Sequence, residues 1–150
     1  MTGADPLLRL LHAVDALDWD AVRDALAAEV RVDYTSLAGG APETVPAGTL
    51  IARWQGLMPG FDATQHLTGP VLLTGDGGPG MRADTHLVAW HRIAGAGGGE
   101  TWTVRGHYTA RLDDGKITML TLQVFGQEGN LDLPELAVRR AAAGEGRAGR

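Results

Sequence analysis

Two runs in the second half of the chain alternate so strictly that they leave few choices of fold. Met81–Arg92 puts Met81, Ala83, Thr85, Leu87, Ala89 and His91 on one parity and Arg82, Asp84, His86, Val88, Trp90 and Arg92 on the other. Residues 101–112 likewise set Trp102, Val104, Gly106, Tyr108, Ala110 and Leu112 against Thr101, Thr103, Arg105, His107, Thr109 and Arg111. A side-chain period of two means a strand with one face on a core and one face on solvent. The small and apolar parity is the core face in both runs. Glycine-rich residues 94–99 join them, which suits an antiparallel hairpin.

Strand grammar continues on either side. Residues 64–73 read as a strand ended by the loop at 75–80, and residues 117–125 as another after the turn Asp113-Asp114-Gly115. Successive antiparallel pairing is the simplest arrangement of these segments. Before Phe61 the pattern is helical. Leu7, Leu8, Leu10, Leu11, Val14 and Leu17 recur at helical spacing over residues 6–17, with Pro6 acceptable in the first turn. Asp18 is a natural N-cap for a second helix running through Val22 and Leu26 to about Ala28. Val30, Val32 and Tyr34 alternate within residues 29–37 as a half-buried strand, broken at 38–42. Pro46 opens a helix whose stripe is Leu50, Ile51, Trp54 and Leu57, and Pro59 and Gly60 stop it. A short helix is expected at 134–143. Helices first and an antiparallel sheet second define the α+β class.

A chain of 150 residues makes one domain; its bounds are expected at 1–143, with 144–150 (GEGRAGR) a flexible tail. There is no cysteine, so disulfides, thiolate metal sites and cysteine nucleophiles are excluded. The formal charge is -5 and Lys116 is the only lysine, which leaves no basic footprint for nucleic acid or an anionic membrane. No stretch approaches the ~18 apolar residues of a membrane span, and the first twenty residues lack the basic-then-apolar order of a leader. A cytoplasmic protein is expected. The glycine runs lie between strands and do not open helices, which disfavours a phosphate cradle. His86 and His91 fall on opposite faces of their strand, so no metal site is expected.

Polar residues on apolar faces are the candidates for chemistry. Asp15 shares the helical arc of Leu8, Leu11 and Trp19, where an unpaired carboxylate would cost several kcal/mol and so demands a partner. Asp18 also projects inward, but capping explains it. His91 is the basic group that ends the core face of its strand. It is either a functional imidazole or a satisfied core histidine, whereas His86 and His107 sit on polar faces. Tyr108 points inward. Gly106, in mid-strand, marks a bend or room for a ligand. His66, in Thr64-Gln65-His66, cannot be placed by polarity alone. Together with Asp15 and His91 it makes chemical sense: a carboxylate tunes one imidazole as a proton acceptor, and a second imidazole returns a proton elsewhere.

The order of these features, from Asp15 and Asp18-Trp19-Asp20 through Val32-Asp33-Tyr34 and Thr64-Gln65-His66 to His91, Gly106-His107 and Gln127-Glu128-Gly129-Asn130, resembles the SnoaL-like branch of the NTF2-like superfamily. Within it the chain is most similar to scytalone dehydratase, over residues 7–130. The resemblance implies a cone-shaped α+β barrel, a curved antiparallel sheet wrapped on N-terminal helices with a pocket in its mouth. It implies catalytic roles for Asp15, its partner His66, the second histidine His91, and Tyr34, one of two family tyrosines. The other family tyrosine falls on Val14 and the family asparagine near Leu112, so substrate contacts must differ. Tyr108 is a candidate replacement for the lost phenol.

The expected function is a cofactor-independent dehydratase or isomerase of a small cyclic hydroxy-ketone, polyketide-derived rings included. His66, oriented by Asp15, would take the proton alpha to the carbonyl, Tyr34 would stabilise the enolate, and His91 would protonate the leaving hydroxyl. Trp54, Leu57, Met58, Phe61, Tyr108 and Leu112 would shape the substrate cavity. A SnoaL-type polyketide cyclase, or a non-catalytic ligand-binding or dimerisation module, is the alternative. An epoxide hydrolase is disfavoured because Arg82 and Asp84 share the face away from His91. The expected partners are a small-molecule substrate and a second copy of the chain, paired through the outer sheet face.

Overall fold

The computed structural model describes residues 5–75 and 77–148. Helix α1, Asp5–Ala16, buries Leu7, Leu10, Leu11 and Val14. Leu17, at φ 55°, reverses the chain. Asp18 then caps α2, Trp19–Ala25, by accepting the Ala21 N–H at 3.1 Å. The sequence places the end of α2 near Ala28; the chain is already extended at Leu26.

Strand β1 is Leu26–Asp33. It stops where the Asp33 carboxylate accepts both the Thr35 N–H and hydroxyl, and a single helical turn, α3 at Thr35–Ala38, follows. The sequence reads residues 29–37 as one strand and gives no strand at Glu43–Pro46, yet β2 lies there, antiparallel to β1. Helix α4, Ala47–Gln55, buries Leu50 and Ile51, and a 3₁₀ turn at Met58–Gly60 leads to the remaining strands.

The run at 64–73 is two strands, β3 (Ala63–Thr68) and β4 (Leu72–Gly75), both paired with β5 (Met81–Arg92). Gly69 and Pro70 divide them, since proline has no N–H for the ladder. Strands β6 (Thr101–Asp113) and β7 (Lys116–Gly129) complete the sheet, and α5 (Leu133–Ala142) follows. The sheet order is β2-β1-β7-β6-β5-β3, with no pairing between its ends, so the curved sheet is open. Successive pairing holds from β5 to β7, but β1 joins β7 in parallel.

The parity of the two long strands is as the alternation requires. Ala83, Thr85, Leu87, Ala89 and His91 are buried on β5, and Trp102, Val104, Gly106, Tyr108, Ala110 and Leu112 on β6. Gly106 sits at a register shift against β7, where a Cβ would lie 2.3 Å from the Gln123 carbonyl oxygen. The glycine therefore serves the close approach of the two strands. The core lies between this inner sheet face and α1, α2 and α4. No described helix is long and apolar enough to cross a membrane.

Candidate active site

Asp15 meets His66 across the gap between α1 and β3. Its Oδ1 lies 2.7 Å from His66 Nδ1, and its Oδ2 accepts the His66 backbone N–H at 2.7 Å. The Thr64 hydroxyl donates to Oδ1 at 2.9 Å. Thr64 and His66 share a face of β3 because they are two residues apart, and that parity is the sequence signal that could have added Thr64 to the site. In register, Thr64 stands beside His91 and His66 beside Ala89, whose methyl leaves space for the ring.

Burial alone would raise the Asp15 pKa. The hydrogen bond and charge of His66, its backbone N–H and the Thr64 hydroxyl outweigh burial and hold the carboxyl below its usual value. A carboxylate only accepts, so His66 carries its proton on Nδ1 and presents Nε2 as the basic atom.

His91 is 5% exposed and bonds through Nδ1 to the Trp102 carbonyl at 3.0 Å. Its ring stacks on Trp102 at 4.3 Å, lies 4.8 Å from Phe61, and meets His66 edge-on at 6.2 Å between centroids. Burial lowers its pKa to about 4, against the Trp102 hydrogen bond. The Trp102 carbonyl accepts the Nδ1 proton, and with burial holding its pKa at about 4 His91 is neutral at about pH 7 and offers a lone pair at Nε2. The proton-donor role expected of it does not fit this state.

Two phenols face each other nearby. Tyr34, at the end of β1, and Tyr108, on β6, place their hydroxyls 3.2 Å apart, with rings edge-on. Burial pushes the Tyr108 hydroxyl up to about 12 and that of Tyr34 well above 10, so both stay protonated. One hydroxyl donates to the other, which leaves the second proton free for an oxyanion.

A cavity of about 50 Å³ is lined by Leu10, Leu11, Val14, Tyr34, Trp54, Met58, His66 and Tyr108. Of the expected wall, Trp54, Met58 and Tyr108 are present. Leu57 is half-buried outside it, Phe61 is fully buried behind His91, and Leu112 lies in the core beside Met81, four residues past Tyr108. Leu112 also occupies its place without a polar group. A larger recess, about 770 Å³, runs between α1, α2 and the Gly115 turn and shares no residue with this cavity. The small cavity carries the chemistry because the basic imidazole and both phenols line it. Among the described residues no histidine and carboxylate cluster is arranged for a metal.

The fold and this site define a SnoaL-like α+β protein. The SnoaL-like domain matches residues 4–116, and the chain belongs to that family. The Kfla4162 protein of Kribbella flavida is similar at 22% identity and TM-score 0.78, covering 90% of this chain and 93% of its own. A Novosphingobium aromaticivorans protein provisionally named a scytalone dehydratase gives 13% identity and TM-score 0.68, with coverage of 83% and 82%. A type 2 hexachlorocyclohexane dehydrochlorinase gives 13% and 0.65, with coverage of 83% and 84%. Other solved structures of the fold carry provisional names as a polyketide cyclase and a ketosteroid isomerase. No curated protein matches the sequence.

Proposed function

We propose that this protein is a cofactor-independent dehydratase or isomerase acting on a small cyclic hydroxy-ketone. The observation that carries the reading is the Asp15–His66 pair opening onto a cavity that also holds two bonded phenols. His66 Nε2 takes the proton alpha to the carbonyl, and the C–H electrons move into the enolate. The Tyr34–Tyr108 pair donates a hydrogen bond to the enolate oxygen, with Tyr108 supplying the phenol absent at Val14. For elimination, the enolate re-forms the carbonyl, a C=C bond appears and the C–O bond breaks. The imidazolium of His66 then returns its proton to the leaving hydroxyl, which departs as water. His91 supports this cycle as a neutral neighbour of His66 and not as the acid. A positioned general base is worth about 10² to 10⁴ in rate, and an oxyanion donor about 10² to 10³.

The cavity favours a compact ligand. Its volume of about 50 Å³ is well under the ~150 Å³ that accommodates benzene. Binding a ring therefore moves Trp54 or Met58 outward. The alternative is a ligand-binding module without turnover. Incubating the protein with cyclic hydroxy-ketones and following dehydration or isomerisation separates the two. Turnover that is lost in His66→Ala with ligand affinity retained supports the enzyme; binding with no turnover by the unmodified protein supports the module. The proposal includes a homo-oligomer paired through the outer sheet face, where Leu67 and Phe125 are more than half exposed beside His86.

A further inference from the structure

Arg147, in the 144–150 segment, reaches into the same network as the dyad. The Arg147 backbone N–H donates to the Pro59 carbonyl at 3.0 Å, and Nε donates to the Phe61 carbonyl at 3.1 Å. Nη2 donates to the Met58 carbonyl at 3.4 Å and to Thr64 Oγ1 at 2.8 Å, while Nη1 donates to the main-chain carbonyl of Asp15. One planar guanidinium thus ties α1, the 3₁₀ turn and β3 together, a geometry that the point charge of lysine cannot reproduce.

The direction of these bonds matters. Thr64 Oγ1 has a single hydrogen. With Arg147 donating to that oxygen, the hydrogen is directed to Asp15 Oδ1, the same atom that meets His66 Nδ1. The relay runs one way, from guanidinium to hydroxyl to carboxylate, and it fixes the oxygen that orients the imidazole. The path of the chain is itself specialised. Gly146 has φ +104°, and a Cβ there would stand 2.1 Å from the Pro59 carbonyl oxygen, so only glycine lets the segment lie this close.

We propose that Arg147 is a positioning residue for the Asp15–His66 pair, so that the end of the chain completes the site. This rests on reading the pair as the working base, but its test reads the pair and not turnover. In the full chain, the His66 Nδ1 proton is followed by NMR and identified by its loss in His66→Gln. The proposal expects a downfield, exchange-protected proton in the unmodified protein and exchange at least about tenfold faster in Arg147→Ala. Millimolar guanidinium restores protection to Arg147→Ala, and Arg147→Lys recovers only part of it. Unchanged protection in Arg147→Ala overturns the proposal, as does a loss that guanidinium leaves untouched, which marks general loosening. Intact protection in a protein that turns over no hydroxy-ketone would instead sink the functional reading and leave this one standing.

Discussion

The two carboxylate oxygens of Asp15 grip both the ring and the backbone of His66, at 2.7 Å each. That double hold fixes where the imidazole stands and which nitrogen carries its proton. Replacing Asp15 by asparagine keeps the shape but can present an N–H to the ring, which selects the wrong tautomer. We expect Asp15→Asn to lower kcat/KM by about 10² to 10⁴. Steady-state kinetics on the responsive hydroxy-ketone check it, with circular dichroism confirming the fold.

The paired phenols lead to a non-additive outcome. Tyr34→Phe and Tyr108→Phe each remove one hydroxyl of a pair 3.2 Å apart. Either loss leaves one phenol able to donate, so each single variant should lose about tenfold to a hundredfold in kcat. The double variant should lose more than the product of the singles. The four proteins form a double-mutant cycle read by kcat.

Stability should depend on acid through His91. Its folded pKa, about 4, lies below the ordinary 6.5, so the unfolded chain binds a proton first as pH falls. The native state therefore weakens between pH 6.5 and 4, by up to about 3 kcal/mol, and this contribution is constant outside that window. Asp15, with a lowered carboxyl pKa, adds a separate loss only below the usual carboxylate range. Urea unfolding at several pH values should show the His91 slope, and His91→Asn should flatten it.

The wall of the cavity offers a trade between packing and access. Met58 is 5% exposed and lines the cavity. Met58→Ala should cost about 2–5 kcal/mol of stability while enlarging the space available to a ring compound. Chemical denaturation and calorimetric titration with a cyclic ketone should show weaker folding together with tighter or newly measurable binding.

Periodicity made much of this legible. The core faces of β5 and β6, the helix α1 and the Asp18 cap follow from spacing and local hydrogen bonding. Asp15 stood out because a charge on an apolar arc must be met by something. The pairing of β1 with β7 was not legible, since parallel contacts between distant segments leave no local trace. Short β2 ends in proline and carries too few residues to show a period. The state of His91 depends on how deeply its ring is buried against Phe61 and Trp102, and parity gives only the face. Leu57, Phe61 and Leu112 are apolar residues near the site in sequence or by resemblance, and apolarity does not separate a cavity wall from the packing behind it. Arg147 lies among glycines with no pattern to mark it.

The central claim is that His66 removes a carbon-bound proton. Proton NMR in D₂O, following the position alpha to the carbonyl of a bound cyclic hydroxy-ketone, measures that step without requiring the complete reaction. The unmodified protein should wash deuterium into that position, and His66→Gln, binding the same compound, should exchange it at least about a hundredfold more slowly. Equal exchange by the two proteins, or none by the unmodified protein on any ketone it binds, would contradict the account.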